Sequence, residues 1–113
     1  MADSRVTTAI SHWAPRFIAN GIDYNDFVRV TASIEHWESW CEQWCQAGSE
    51  HEKLGRIALD EGRTRSAGSH LAQASVYYHF AKFLFVDDLS QLRAAHSLAV
   101  ECLTDALPFL DPP

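Results

Sequence analysis

At 113 residues the chain is sized for one domain, and folding at that length buries roughly two thirds of the surface the unfolded chain exposes. Hydrophobic residues at 47% and charged residues at 21%, with no long polar tract or simple repeat, argue against a disordered chain. Fifteen acidic against nine basic residues give a net charge of -6, with Lys and Arg scattered from Arg5 to Arg93. That pattern argues against nucleic acid as a partner, because neutralising phosphates needs clustered cations.

The opening segment, about Ser4 to Asn20, spaces Val6, Ile10, Trp13, Phe17 and Ile18 at helical intervals, with Gly21 placed to end the helix. Pro15 predicts a break into two pieces, with a kink near Trp13 and a short helix restarting at the proline, which has no N–H and clashes with the preceding turn. Asp23 is placed to cap a further short helix carrying Tyr24, Phe27 and Val28.

The longest expected helix runs from Ser33 as N-cap to Glu61, with Gly62 as its stop. Its apolar face reads Trp37, Trp40, Cys41, Trp44, Gly48, Leu54, Gly55 and Ala58. Such a helix would extend about 43 Å, against about 35 Å for a compact globule of this chain length, which implies a bend near Gly48 or a projecting end. Gly48 and Gly55 leave room for a neighbouring helix, a reason to tolerate their low helix propensity.

A helix from about Arg65 to Phe85, a break at Asp87-Asp88 and a last helix from about Leu89 to Leu107 complete the chain before Pro108 and the Asp111-Pro112-Pro113 end. No segment reads as a strand. The expectation is an all-α fold of about five helices, three of them long, in an antiparallel bundle or helical-hairpin stack. From Val76 onward nearly every position of the fourth helix is apolar or aromatic, through Tyr77, Tyr78, Phe80, Ala81, Phe83, Leu84, Phe85 and Val86. A helix apolar all round must be covered on all sides. Either its siblings wrap it or one side packs on something outside the chain, and the small size of the domain favours the second.

The apolar run at Phe83 to Val86 falls far short of the roughly 20 residues of a membrane span. Met1 to Arg5 lacks the basic-then-apolar order of a secretory leader. The three cysteines, an odd number, with Cys41 and Cys45 one helical turn apart, fit reduced thiols. A cytoplasmic location, without membrane contact, is the expectation.

Chemistry-bearing patterns are sparse. Trp37, Trp40 and Trp44 share a helix face, which fits core packing first and an aromatic ligand pocket second. Six histidines invite a metal, yet neither His-Glu-x-x-His nor paired Glu-x-x-His occurs, and His70 and His79 point in nearly opposite directions on one helix, so no metal and no cofactor is expected. Cys41-x-x-x-Cys45 reads as a buried thiol face. Gly68-Ser69-His70 sets a serine beside a histidine, but helix neighbours diverge by about 100 degrees and form no directed pair. No Gly-x-Ser-x-Gly elbow is present, and no residue reads as catalytic.

Several strings resemble one family. Trp13-Ala14-Pro15-Arg16-Phe17, Asn20-Gly21, Asp23-Tyr24-Asn25-Asp26-Phe27, Ser66-Ala67-Gly68 with His70-Leu71, Tyr78-His79-Phe80-Ala81-Lys82-Phe83-Leu84-Phe85, Ala106-Leu107-Pro108 and Leu110-Asp111-Pro112-Pro113 are similar to the N-terminal cap region of the dihydroxypseudooxynicotine hydrolase-like α/β-hydrolases. The resemblance spans nearly the whole chain, and its aromatic string from Tyr78 is the most specific part. It implies that residues 1–113 are a single helical cap, or lid, domain and that an α/β-hydrolase domain with a Ser-His-Asp triad follows Pro113. That domain would hydrolyse a carbon–carbon bond beside a carbonyl, a step of nicotine breakdown, or an ester in related enzymes. The cap would enclose an aromatic small-molecule substrate, pack on the hydrolase domain and contribute to a homodimer. The substrate-lining candidates are Trp13, Phe17, Tyr24, Trp40, Trp44, His70, Tyr77, Tyr78 and Phe80. The competing expectation is a helical-hairpin protein-interaction module, although no 34-residue period is present.

Overall fold

A computed structural model describes residues 3–82 and 88–110. Its helices are α1 (Ser4–Ala19), α2 (Tyr24–Ala32), α3 (Trp40–Asp60), α4 (Thr64–Ala81) and α5 (Leu89–Ala106), with single 3-10 turns at Trp37–Ser39 and Leu107–Phe109. Among the described residues there is no strand, and the protein is an all-α helical bundle. Phe83, Leu84, Phe85, Val86 and Asp87, and the terminal Asp111, Pro112 and Pro113, lie outside the described residues.

Local signals set most of the helix ends. Asp3 caps α1 by accepting a 2.9 Å bond from Arg5 N, Asp23 caps α2 through Asp26 N at 3.1 Å, and Asp88 caps α5 through Gln91 N at 3.2 Å. These carboxylates satisfy amides that a helix start leaves without partners. Gly21 and Gly62 take the positive φ angles, 106° and 78°, that turn the chain after α1 and α3.

Two boundaries differ from expectation. Pro15 lies inside α1, which runs unbroken to Ala19. The missing N–H deprives only the Ser11 carbonyl of its helical partner, Ser11 is exposed to water, and the buried Phe17 anchors the last turn. Ser33 does not start the long helix. It closes α2, its hydroxyl donating to Val30 O at 2.6 Å. The stretch after it is held by tertiary bonds, Asp3 N to Glu35 O at 2.7 Å and Trp37 N to Asp3 Oδ2 at 3.3 Å, so the helix waits until Trp40. With 21 residues α3 is about 32 Å long, within the 44 Å long dimension of the bundle, and it passes Gly48 without a break.

Side-chain registers give the topology. Gly48 of α3 faces the Tyr78 ring and Gly55 faces Leu71, so numbering rises along α3 as it falls along α4 and the pair is antiparallel. Ser75 Oγ donates to Ala99 O at 2.7 Å and Lys82 Nζ to His96 Nδ1 at 2.7 Å, which makes α4 and α5 antiparallel as well. Consequently α3 and α5 flank α4 and run parallel to each other, joined by Arg56 to Asp105 at 2.7 Å.

The aromatic half of α4 is wrapped by its own chain. Tyr77, Tyr78, Phe80 and Ala81 are buried, under α1, α2 and α3 on one flank and α5 on the other. The expectation that this side packs on something outside the chain is therefore corrected for the described residues. Small residues are the cause: Gly48, Ala99 and Cys102 let Tyr78 sink between helices, and α1 lays Phe17 over Phe80 with ring centroids 4.0 Å apart. Large exposed apolar side chains lie elsewhere, among them Leu54 and Ile57 on α3, Leu89, Val100 and Leu103 on α5 and Leu107 in the turn after it. Leu54, expected on the buried face of α3, is 50% exposed. Among the described residues no helix is long and apolar enough to cross a membrane.

Candidate functional site

The aromatic residues expected to line a substrate fall into three groups. Phe17, Trp40, Trp44, Tyr77 and Phe80 form one buried cluster. Phe17 sits 5.9 Å from Trp40 and 5.7 Å from Trp44, both edge-on, Trp44 meets Tyr77 at 5.8 Å, and Trp37 stacks on Trp40 at 5.1 Å and 29°. Such edge-to-face and stacked pairs are the packing of a closed core. Tyr78 is buried separately, against α5, with its hydroxyl donating to Glu52 Oε1 at 2.8 Å. Trp13 is half-buried beside Trp37 and Thr8, His70 is half-buried, and Tyr24 is 66% exposed. Those last three are not brought together.

A polar cleft opens between α2, α3 and α4, where Asp26 is the hub. Its Oδ2 accepts from the Tyr77 hydroxyl and contacts His51 Nε2 at 3.1 Å, while Oδ1 accepts from Arg29 at 3.3 Å. Burial pushes the Asp26 carboxyl up, but the hydrogen bonds from Tyr77, His51 and Arg29 outweigh it and hold the group below its ordinary value. The same environment, burial first and the Asp26 bond second, pushes the Tyr77 phenol well up. The His51 ring stacks on that of His70 at 6.1 Å, and Ser69 and Gln73 complete the cleft wall.

An aspartate–histidine pair beside a serine invites a nucleophile reading, and the geometry answers it. Nε2 of His51 is engaged by Asp26, and Nδ1 is buried with no hydrogen-bond partner among the described residues. Nε2 is thus held by Asp26 and Nδ1 is buried, whereas a general base needs a nitrogen that reaches the proton it removes. The Tyr77–Asp26–His51 array ties α2 to α3 and α4. A second array, Tyr78 and Arg56 on Glu52 with Arg56 on Asp105, ties α3 to α4 and α5. Among the described residues no three His, Cys, Asp or Glu side chains are gathered for a metal ion.

An apolar groove of about 360 Å³ opens between α4 and α5. Val76 and Phe80 line one wall, Ala99, Val100 and Leu103 the other, and His79, Lys82 and His96 gather at one end. Val100 and Leu103 are 51% and 44% exposed, whereas Ala95, Ala99, Cys102 and Ala106 of the same helix are buried. Small side chains let α5 approach α4 closely, and the larger ones are left on the rim. His79 is held below its ordinary value by partial desolvation and then by the neighbouring Lys82, Arg16 and His96. Sequence reading did not single out His96, Val100 or Leu103. The available signal was the small-residue stripe Ala95-Ala99-Cys102-Ala106, which marks the buried face and so assigns Val100 and Leu103 to the outside.

Comparison of the chain with protein-family models, with curated proteins and with solved structures returns no match. The resemblance to the hydrolase cap region rests on the residues quoted for it. Of these, Trp13 to Phe17 lie on α1, Asp23 to Phe27 form the cap and first turn of α2, and Tyr78 to Ala81 end α4.

Proposed function

We propose that this bundle is a helical lid, the cap of a serine-type α/β-hydrolase of the kind that cleaves carbon–carbon or ester bonds next to an aromatic carbonyl, as in nicotine breakdown. The α4–α5 groove is the surface turned toward the substrate, and the bundle supplies no catalytic group of its own. The observation that carries the reading is that groove: an apolar trough of ligand size, flanked by exposed Val100 and Leu103 on a bundle whose aromatic core is otherwise closed. The resemblance of the Tyr78-His79-Phe80-Ala81 string supports it, since this string forms the end of α4 beside the groove. A lid over such a trough would exclude water and select apolar substrates. Homodimerisation and a cytoplasmic location belong to the same reading, the latter in keeping with three free thiols.

The reading frame that contains this chain, expressed in full, tests it. A Gly-x-Ser-x-Gly downstream and hydrolysis of an aromatic ketone or ester are expected, with Leu103→Asp raising KM while the bundle stays folded. A frame without a nucleophile, or kinetics indifferent to Leu103→Asp, would refute the lid. A helical-hairpin interaction module is the second reading. It is favoured by Leu54 and Ile57, 50% and 51% exposed within one turn of α3, which suit a contact with another protein.

A further inference from the structure

We infer that the α4–α5 groove is a binding site for a free amphipathic monocarboxylate, its apolar body along Val76, Val100 and Leu103 and its carboxylate at Lys82 and His96. Two independent features of the groove point there. Its walls are apolar along the length from His96 to Leu103, a rise of about 10 Å on α5, which matches a medium-chain acyl group. Its volume of about 360 Å³ falls in the range of about 300–1,000 Å³ usual for small-ligand sites.

Charge is the second feature. Lys82, His79 and His96 stand at one end of the groove, and no carboxylate is among its lining residues. Among the described residues Lys82 pairs with His96 and forms no salt bridge to an acid. Its ammonium has no lone pair and must donate, so His96 accepts at Nδ1 and carries its ring proton on Nε2. Two further ammonium protons of Lys82 and the His96 Nε2 proton are then donors without a carboxylate among the described residues. On a chain of net charge -6, a groove end that holds the Lys82 ammonium and no carboxylate among its described lining residues is a local exception, and a carboxylate is the ligand group that complements it. A cationic amphiphile would fill the trough but set its charge against Lys82, and a neutral one would leave the ammonium charge uncompensated.

Octanoate, octan-1-ol and octylammonium, each titrated into the chain below its aggregation concentration and followed by NMR, separate these terms. Octanoate is expected to bind tightest, shifting the methyl signals of Val76, Val100 and Leu103 and the ring protons of His79 and His96. Lys82→Ala should weaken octanoate about tenfold, the scale of one charge-assisted hydrogen bond, while leaving octan-1-ol unchanged, and Lys82→Arg should restore it. Leu103→Asp should abolish binding of octanoate and octan-1-ol alike. Equal binding of octylammonium, shifts centred away from the groove, or no octanoate binding by the folded chain would each overturn the inference. It shares with the lid reading only the premise that the groove meets a ligand. Octanoate binding with no hydrolase in the reading frame would leave this site standing alone, and an active hydrolase whose lid ignores octanoate would leave only the lid.

Discussion

Replacing Gly55 with alanine sets two opposed effects against each other at a site of known geometry. Alanine in a helix interior is favoured over glycine by about 0.8–1.0 kcal/mol, so propensity alone predicts stabilisation. A Cβ built at Gly55, however, would lie 2.8 Å from Leu71 Cγ, 3.0 Å from its Cδ2 and 3.2 Å from its backbone N. Leu71 is fully buried, and its amide moves only if α4 moves. Overpacking of this kind costs about 1–3 kcal/mol, which leaves a net loss of about 1 kcal/mol after the propensity gain. With a urea dependence of about 1–3 kcal/mol per molar for a small domain, the midpoint of Gly55→Ala should fall by about 0.5 M. Gly48→Ala is the internal comparison. Its Cβ would meet only the flank of the Tyr78 ring, at 3.0 to 3.3 Å, and its loss should be smaller. A midpoint that rises in Gly55→Ala would mean that α3 and α4 do not approach as described, and the antiparallel register would have to be redrawn.

Acid should act through Asp26. Because its folded-state value is held below the ordinary one by Tyr77, His51 and Arg29 against the opposing effect of burial, its contribution to stability is present above about pH 4 and is lost as the pH falls through the lowered value. Wild type should therefore lose more stability than Asp26→Asn between about pH 6 and pH 3, and identical urea midpoints against pH for the two proteins would refute the clamp. The thiols offer a third check. Cys41 and Cys102 are buried, the Cys102 thiol is pushed up to about 12 by burial and then by nearby Glu52, and the Cys45 thiol is raised by its bond with Cys41 and by burial. A disulfide reagent in native buffer should label these residues only slowly and take up all three on addition of urea. Prompt native labelling of Cys102 would show that the α4–α5 interface is open.

What could be read from the residues was whatever local rules decide. The helical class, the cap at Asp23, the break before Leu89, the stop at Gly62 and the close approach at Gly48 and Gly55 each follow from a side chain or a backbone preference within a few residues. The start of α3 was not legible at Ser33 because distant Asp3 claims the Trp37 amide and donates its own to Glu35. Pro15 could not be judged without knowing that Ser11, whose carbonyl it strands, lies at the exposed surface. Periodicity named Tyr77, Tyr78 and Phe80 as apolar but was blind to what covers them, since that depends on α1 folding back across α4. The groove escaped notice for a related reason. In α5 the smaller residues are inside and the bulkier Val100 and Leu103 outside, an inversion of the usual equation of size with burial.

The stack of Trp37 on Trp40 has an optical corollary. Two indoles in van der Waals reach couple their electronic transitions, and the coupled band overlaps the short-wavelength dichroism from which helix content is read. Spectra of the native chain should thus misstate its helicity, and replacing Trp37 with phenylalanine should change the apparent value without unwinding a turn. The same band would then report, ring against ring, whether the first turn of α3 is seated.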